Sequence, residues 1–383
     1  MAFGQYVNLD FDEIKTSIRD YLRANTNFTD YDFEGSNLSI IIDALAYNTY
    51  ITAYNTNMAA NECFLDSSTL RENVVSLARN IGYVPRSRRA SRAKISFFVS
   101  GLTETSTLTL NSGLICNGAG NATNYLFSIP ESITVPVTNG FAEFNEIEIY
   151  EGTLINQAFT VNTSLYSQHY ILPNPFIDTS TIRVKVRPNE DSSTTLTYKQ
   201  VDNIIGITST SASYLLQEVE DEKYELIFGD NVIGKKLSNN NYITVSYIVT
   251  DGRNGNGASS FSFVGNITNQ DGAAINASNI SGVQTIEKSR DGDDIESISS
   301  IKYYAPRIYS SQYRAVTASD YESVLAYIYP NVESVTAYGG EEMSPPRFGK
   351  VFISVKPRNG DFLSDQTKRD LIQRLKSFAV AGI

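Results

Sequence analysis

Apolar residues in the first ninety positions recur every three to four residues, the spacing that gathers one face of an α-helix. Asp10, with Glu13 three residues on, predicts a capped helix start, and Ile14, Ile18, Tyr21 and Leu22 form the apolar stripe behind it. A second helix is predicted from just after Gly35-Ser36 to about Glu62. Leu38, Ile41, Ile42, Leu45 and Ala46 share one side of it, while Ile40, Ala44, Tyr47, Ile51, Tyr54 and Met58 spread onto another. A helix apolar on more than one face needs more than one neighbour, so chains other than its own are expected to cover it. A third helix, from about Ser67 to Ile81, carries Leu70, Val74, Leu77, Ala78 and Ile81 in register and stops at Gly82 before Pro85.

The period then changes to two. Ile95, Phe97 and Val99 alternate with polar residues, and strand-like runs recur at Leu108, Ile133, Ile147 and Ile149, then at Ile182, Val184 and Val186. Tyr214–Gln217, Tyr224–Phe228 and Tyr242–Thr250 follow, with turn signals at Gly229-Asp230-Asn231 and Asp251-Gly252. The stretch 253–283 is rich in Gly, Asn, Ser and Ala and reads as a loop-rich connector with room for short strands. After Asp291 the helical period returns, clearly so from Thr317, whose partner Asp320 predicts a capping box. Strands near Val332–Val335 and Lys350–Lys356 and a helix capped by Ser364, with Leu371, Ile372, Leu375 and Phe378, complete a helix-strand-strand-helix module.

The fold class expected is multidomain α+β: a helical region at 1–92, a β-rich domain at 93–180, a second β-rich domain with its connector at 181–290, and an α+β module at 291–383. That module leaves room for a further strand after Val380-Ala381-Gly382-Ile383, which predicts a truncated module.

Composition narrows the chemistry. The 383 residues are 41% hydrophobic and 19% charged, a balance that builds folded cores. A net charge of -11 disfavours a protein that depends on phosphate contacts, so nucleic acid is not an expected partner. The most apolar stretch, Leu38–Tyr47, is far too short to cross a bilayer, and 1–14 has no signal-peptide pattern, so a reducing cytoplasm is the expected place of synthesis. His169 is the sole histidine, and Cys63 and Cys116 lie far apart, so both cysteines read as small buried residues and no metal or cofactor is expected.

The acidic run from Glu218 to Glu222 reads as a hairpin tip, with paired carboxylates for glycoside cleavage as the alternative. Arg290-Asp291-Gly292-Asp293-Asp294 has its glycine in the wrong place for a calcium loop and reads as a helix N-terminus. Phe228 to Gly234 is expected to be a β-hairpin whose glycines serve backbone geometry rather than phosphate binding. Between Pro85 and Lys94 five cations run without an acid. On an acidic chain this reads as a docking point for an acidic protein surface or a nucleic-acid contact, with a solvated linker as the equal alternative.

Two stretches carry more than patterning. Leu226-Ile227-Phe228-Gly229-Asp230-Asn231-Val232-Ile233-Gly234 resembles the Phe-Gly-Asp-Gly-x-x-Gly signature of the baseplate J-like family of contractile phage tails, with Asn231 in place of the second glycine. Gly292-Asp293-Asp294-Ile295-Glu296-Ser297, Ala305-Pro306-Arg307 and Arg314-Ala315-Val316-Thr317-Ala318-Ser319-Asp320-Tyr321-Glu322 resemble the same family's downstream signature. The N-terminal Asp30-Tyr31-Asp32-Phe33-Glu34-Gly35-Ser36-Asn37, with Tyr47-Asn48-Thr49, Asn57-Met58-Ala59 and Phe64-Leu65-Asp66-Ser67, is similar to the larger T-even-type baseplate wedge subunits.

The resemblance implies a structural protein without catalytic residues. It implies two copies joined to another wedge protein through a helical core bundle, six wedges closed into a ring around the tail hub, and residence in the virion's tail baseplate. It also implies further C-terminal structure beyond that seen in this sequence. The interface residues expected are Ile41, Leu45, Tyr47, Ile51, Tyr54 and Met58 on the second helix and Arg86, Arg88, Arg89 and Arg92 at the junction. A tail-associated glycan hydrolase using Glu218 and Glu222, and a nucleic-acid module using 86–94, are the alternatives from other classes.

Overall fold

The computed structural model describes residues 10–24, 36–102, 105–120, 123–201, 207–276, 279–312, 314–329, 332–358, 362–363, 365–376 and 378–379. The Asp30–Gly35 part of the N-terminal motif, the Ser364 cap and residues 380–383 lie outside these. The chain divides into two compact units, 1–84 with 298–310, and 85–297 with 311–383.

The first unit is helical: α1 (Phe11–Arg23), α2 (Asn37–Glu62), α3 (Arg71–Asn80) and, from far along the chain, α4 (Ile298–Ser311). Asp10 accepts the amides of Asp12 and Glu13, and Ser36 accepts that of Ser39, so the first two helices start where their capping residues stand. The third starts at Arg71 rather than Ser67. Its N-cap, Leu70, has no side-chain acceptor, and Glu62 at the end of α2 supplies one. The Glu62 carboxylate accepts the Thr69 amide at 2.7 Å, the Thr69 hydroxyl at 2.6 Å and the Asn73 amide at 2.8 Å. Burial works against this charge, but those bonds outweigh it and hold its pKa down to about 2. Lys302 on α4 donates to the Asp66 carbonyl at 2.9 Å, tying α4 to the α2–α3 turn.

In the second unit the β-rich region is one sheet body with another inserted into it. The base sheet has six strands in the order 260–263, 113–120, 123–129, 142–151, 92–99, 284–290. Alternate residues of Arg92–Val99 point inward. Ile95, Phe97 and Val99 join Leu108, Ile115, Phe127, Phe144 and Ile149 in its core, where Phe97 stacks on Phe144 at 4.8 Å. A three-stranded sheet of 107–110, 133–136 and 267–269 contributes Leu108, Leu110 and Ile267 to the same core.

Residues 153–249 form a separate seven-stranded sheet in the order 153–160, 242–249, 177–187, 196–200, 213–218, 224–228, 170–172. Its own core includes Leu172, Val184, Leu226, Val245 and Tyr247. The boundary expected at 180/181 therefore falls inside the strand Ile177–Arg187, and the 253–283 connector supplies two strands to the base body. A division by sequence order misses this because the partners of Arg92–Val99 are the next-but-several strand and one almost two hundred residues away.

The C-terminal module is as patterned: α5 (Ala318–Ile328), antiparallel strands Val332–Gly339 and Val351–Pro357, and α6 (Asp365–Lys376). Thr317 accepts the Asp320 amide, and the Asp320 carboxylate accepts the Thr317 amide at 2.8 Å, a complete capping box. Two turns differ from expectation. Residues 291–297 form no helix, with Asp291 at φ +67° and α4 beginning only at Ile298, so the acidic stretch is not a helix N-terminus. Phe228–Gly234 is a compact turn and not a hairpin, because the strand 224–228 pairs with 213–218 and 170–172.

Candidate assembly surfaces: a helical seam and an ion-paired junction

α2 is turned inside out relative to a helix of a self-contained bundle. Its buried positions are mostly small or polar: Ser39, Ile42, Ala46, Ala53, Asn57 and Asn61. Its large apolar side chains face outward, with Ile41 at 53%, Tyr47 at 61% and Tyr54 at 51% exposed against 1% for Ile42. Ile40, Ala44, Tyr47, Ile51, Tyr54 and Met58 are all exposed and follow one another at spacings of four, three, four, three and four. That 3.5-residue period is the spacing coiled coils use to keep a straight line of knobs on one face. Ile41 and Leu45 flank it. Ile40 and Ala44 belong to the seam, although only the other four stood among the expected interface residues.

Three hydroxyls on the flank that carries Ile41 and Leu45 are already satisfied within the helix. Thr49, Thr52 and Thr56 donate their hydroxyls to the carbonyls of Leu45, Asn48 and Thr52 at 2.8–2.9 Å. Covering this face therefore leaves those hydroxyls with partners.

The basic junction is oriented differently from the expected cationic docking surface. Glu296, fully enclosed, accepts the Arg86 amide at 3.0 Å and lies 3.6 Å from its Nε. Arg88 stands 3.7 Å from Asp294 and lies over the Phe176 ring. Arg92 pairs with Glu148 at 3.7 Å, donates to Ser180 Oγ at 3.2 Å and covers Tyr150. Lys94 pairs with Glu287 at 3.7 Å. Arg89 is half-buried, and burial, with Arg92 beside it, pulls its guanidinium pKa down against the pull of Asp178.

The backbones of Arg89 and Asp293 exchange two hydrogen bonds, of 3.0 and 3.1 Å. Asp293 then bridges Arg253 at 2.9 Å and Arg358 at 3.3 Å, joining the return from the inserted sheet to the end of the strand Val351–Pro357. The run without an acid in sequence is thus neutralised by acids brought from 148, 287 and 293–296. Replacing Arg86, Arg88, Arg89 and Arg92 by Ser is expected to destabilise the fold by roughly 2–4 kcal/mol. Thermal melting followed by circular dichroism reads this as a lowered Tm; an unchanged Tm would restore the free-surface reading.

The remaining candidates separate clearly. Cys116 is buried, and burial pushes its thiol up to about 12, whereas Cys63 is exposed and departs from expectation. Glu218–Glu222 closes a hairpin between Ser213–Glu218 and Tyr224–Phe228 through a short 3-10 turn. His169 acquires partners that spacing did not show: Glu225 Oε1 lies 2.5 Å from Nδ1 and Ser167 Oγ 3.1 Å from Nε2, beside an open groove of about 600 Å³. Ser167 and His169 are exposed on one loop, so water competes for both, whereas acyl transfer needs a desolvated site. Among the described residues no three His, Cys, Asp or Glu side chains are grouped to hold a metal ion, and no helix is long and apolar enough to cross a membrane.

Comparison with known proteins places names beside this geometry. Residues 10–83 match the family described as baseplate wedge protein gp6-like, helical domain, and residues 317–383 match baseplate structural protein gp6, C-terminal domain I. The baseplate wedge protein gp6 of Enterobacteria phage T4 is 26% identical over 396 aligned positions, covering 99% of this chain and 58% of that protein. The chain thus spans somewhat more than half the length of that relative. Among solved structures, a chain of the anti-feeding prophage baseplate, 6-fold symmetrised, aligns with 15% identity and a TM-score of 0.34, over 96% of this chain and 69% of the other. Across nearly all of its length the chain is similar to a baseplate wedge protein, and its two ends match the helical domain and C-terminal domain I of the gp6 baseplate proteins.

Proposed function

We propose that this chain is a structural subunit of a contractile phage-tail baseplate wedge, residing in the virion and assembled in the host bacterial cytoplasm. The observation that carries the reading is the outward seam of α2 inside the segment matched by the helical wedge domain. In this role α2 closes a core bundle with a second copy of the chain and another wedge protein, and neighbouring wedges close a sixfold ring around the tail hub. The work is mechanical rather than catalytic: rigid sheet bodies fastened by ion pairs pass a rotation from the periphery of the ring to the sheath. The baseplate J-like likeness of 226–237 and 292–322 belongs to the same reading. There, Gly292–Ser297 is the strap that supplies Asp293, Asp294 and Glu296 to the junction.

An affinity-tagged chain supplied during infection tests this. Gold label on the tag should decorate the baseplate end of purified tails in electron micrographs. Label elsewhere on the particle, or particles without the chain, would overturn the assignment.

A further inference from the structure

The inserted sheet is joined to the base sheet by two crossings, Glu151-Gly152-Thr153 outward and Thr250-Asp251-Gly252 back. They run in contact. A Cβ on Gly152, whose φ is +118°, would collide with the Val249 carbonyl. Glu151 is 2% exposed at this point. Its Oε2 accepts the Thr250 hydroxyl at 2.5 Å and the Asp251 amide at 3.2 Å, so a side chain of one crossing closes on the other. Thr250 Oγ1 in turn accepts the Gly252 amide at 2.9 Å.

The Glu151 stem is closely packed as well as buried. The Gly255 backbone lies so near the Glu151 stem and the Ser91 hydroxyl that a Cβ at 255 would strike both. The charged groups acting on it are Asp251 on the return crossing and Arg88 from the segment before the first base strand. Arg88 is engaged by Asp294 and Phe176, and the neighbouring Arg253 is engaged by Asp293.

We propose that Glu151 is a proton-gated latch on the inserted sheet: protonated, it holds the two crossings together; ionised, it loosens them to admit water. The cause is the cost of a carboxylate charge in a buried site. Burial pushes the Glu151 pKa up to about 7, Asp251 acting in the same direction, against Thr250, the Asp251 amide and Arg88. For an acid whose pKa is raised in the closed form, that form binds the proton more tightly than the open one. Closure is therefore strongest in acid and weakens as pH rises from the unperturbed 4.5 to about 7. The opening equilibrium is expected to rise about tenfold between about pH 6 and about pH 8.

Hydrogen exchange of the full chain tests the latch at the amides of Gly152, Thr250, Asp251 and Gly252, read as protection factors so that the chemical exchange rate divides out. Protection should fall about tenfold across that interval. Glu151→Gln keeps an acceptor oxygen and removes the charge, and should stay protected at both pH values. Thr250→Val removes a donor that favours the carboxylate and should move the transition to higher pH, a shift that loss of packing would not produce. Wild-type protection that is flat with pH, or a glutamine variant that keeps the step, overturns the proposal. If the glutamine variant does not fold, isotope-edited infrared spectra of the wild-type carboxyl decide. Titration of Glu151 near pH 7 together with opening supports the latch; titration below about pH 5 overturns it.

Discussion

Replacing Tyr47 and Ile51 together by Asp should leave the isolated chain folded and abolish its assembly through α2. Both side chains are exposed in the chain itself, so the cost to folding is limited to helix propensity, about 0.5 kcal/mol per residue. In an assembled bundle the same positions sit in the middle of the seam, where two uncompensated carboxylates cost about 3–5 kcal/mol each. That corresponds to a loss of affinity beyond a thousandfold. The control is Ile42→Asp, one residue from the flank of the seam but 1% exposed, which should unfold the helical unit whether or not a partner is present. Sedimentation of the full chain with the wedge proteins proposed as its partners, beside thermal melts of the chain alone, separates the two effects. If the double variant assembles normally, the outward face of α2 is not a bundle seam.

Gly229→Val should destabilise the chain by about 3–5 kcal/mol, among the largest effects of any single substitution outside the cores. The reason is not a left-handed backbone at Gly229. A Cβ there would lie inside the van der Waals shell of the Gly234 carbonyl, because the turn folds back on itself at this point. Gly234, at φ +79°, and Asn231, at φ +74°, are the positions with left-handed backbone. Asn231 Oδ1 accepts the Lys236 amide at 2.9 Å, and the Asp230 carboxylate accepts the amides of Val232 and Ile233 at 2.8 and 2.9 Å. Asp230→Ala, which removes only the acceptor of those two bonds on the exposed side of the turn, should cost far less than Gly229→Val. Urea unfolding of both variants gives the ratio; equal losses would mean that the turn opens to accommodate Val.

The sequence by itself determined each local element whose cause lies within a few residues. Asp10, Ser36 and the Thr317–Asp320 pair placed three helix starts because a capping side chain bonds amides two or three residues ahead. The two-residue period of Ile95, Phe97 and Val99 identified a strand with one buried face, and the shortage of His and Cys kept metal and redox chemistry out of the reading. The excess of apolar faces on α2 was also legible, since a 26-residue helix with side chains such as Ile41 and Tyr47 off its buried side cannot be covered by its neighbours alone.

Tertiary structure decided everything that depends on which distant segment arrives where. α4 joins helices more than two hundred residues earlier, and residues 284–290 complete a sheet begun at 92–99. No period in the chain encodes such pairings, because strand partners are chosen by the shapes and hydrogen-bond edges of whole sheets. The run from Arg86 to Lys94 looked free because its acids lie at 148, 287 and 293–296, and charge acts through space rather than along the chain. Glu151 carried no signal at all, being one glutamate at the end of an alternating strand. It becomes a buried, proton-holding group only because the inserted sheet leaves and returns at the same place, bringing Thr250 to its carboxyl and Gly255 against its stem.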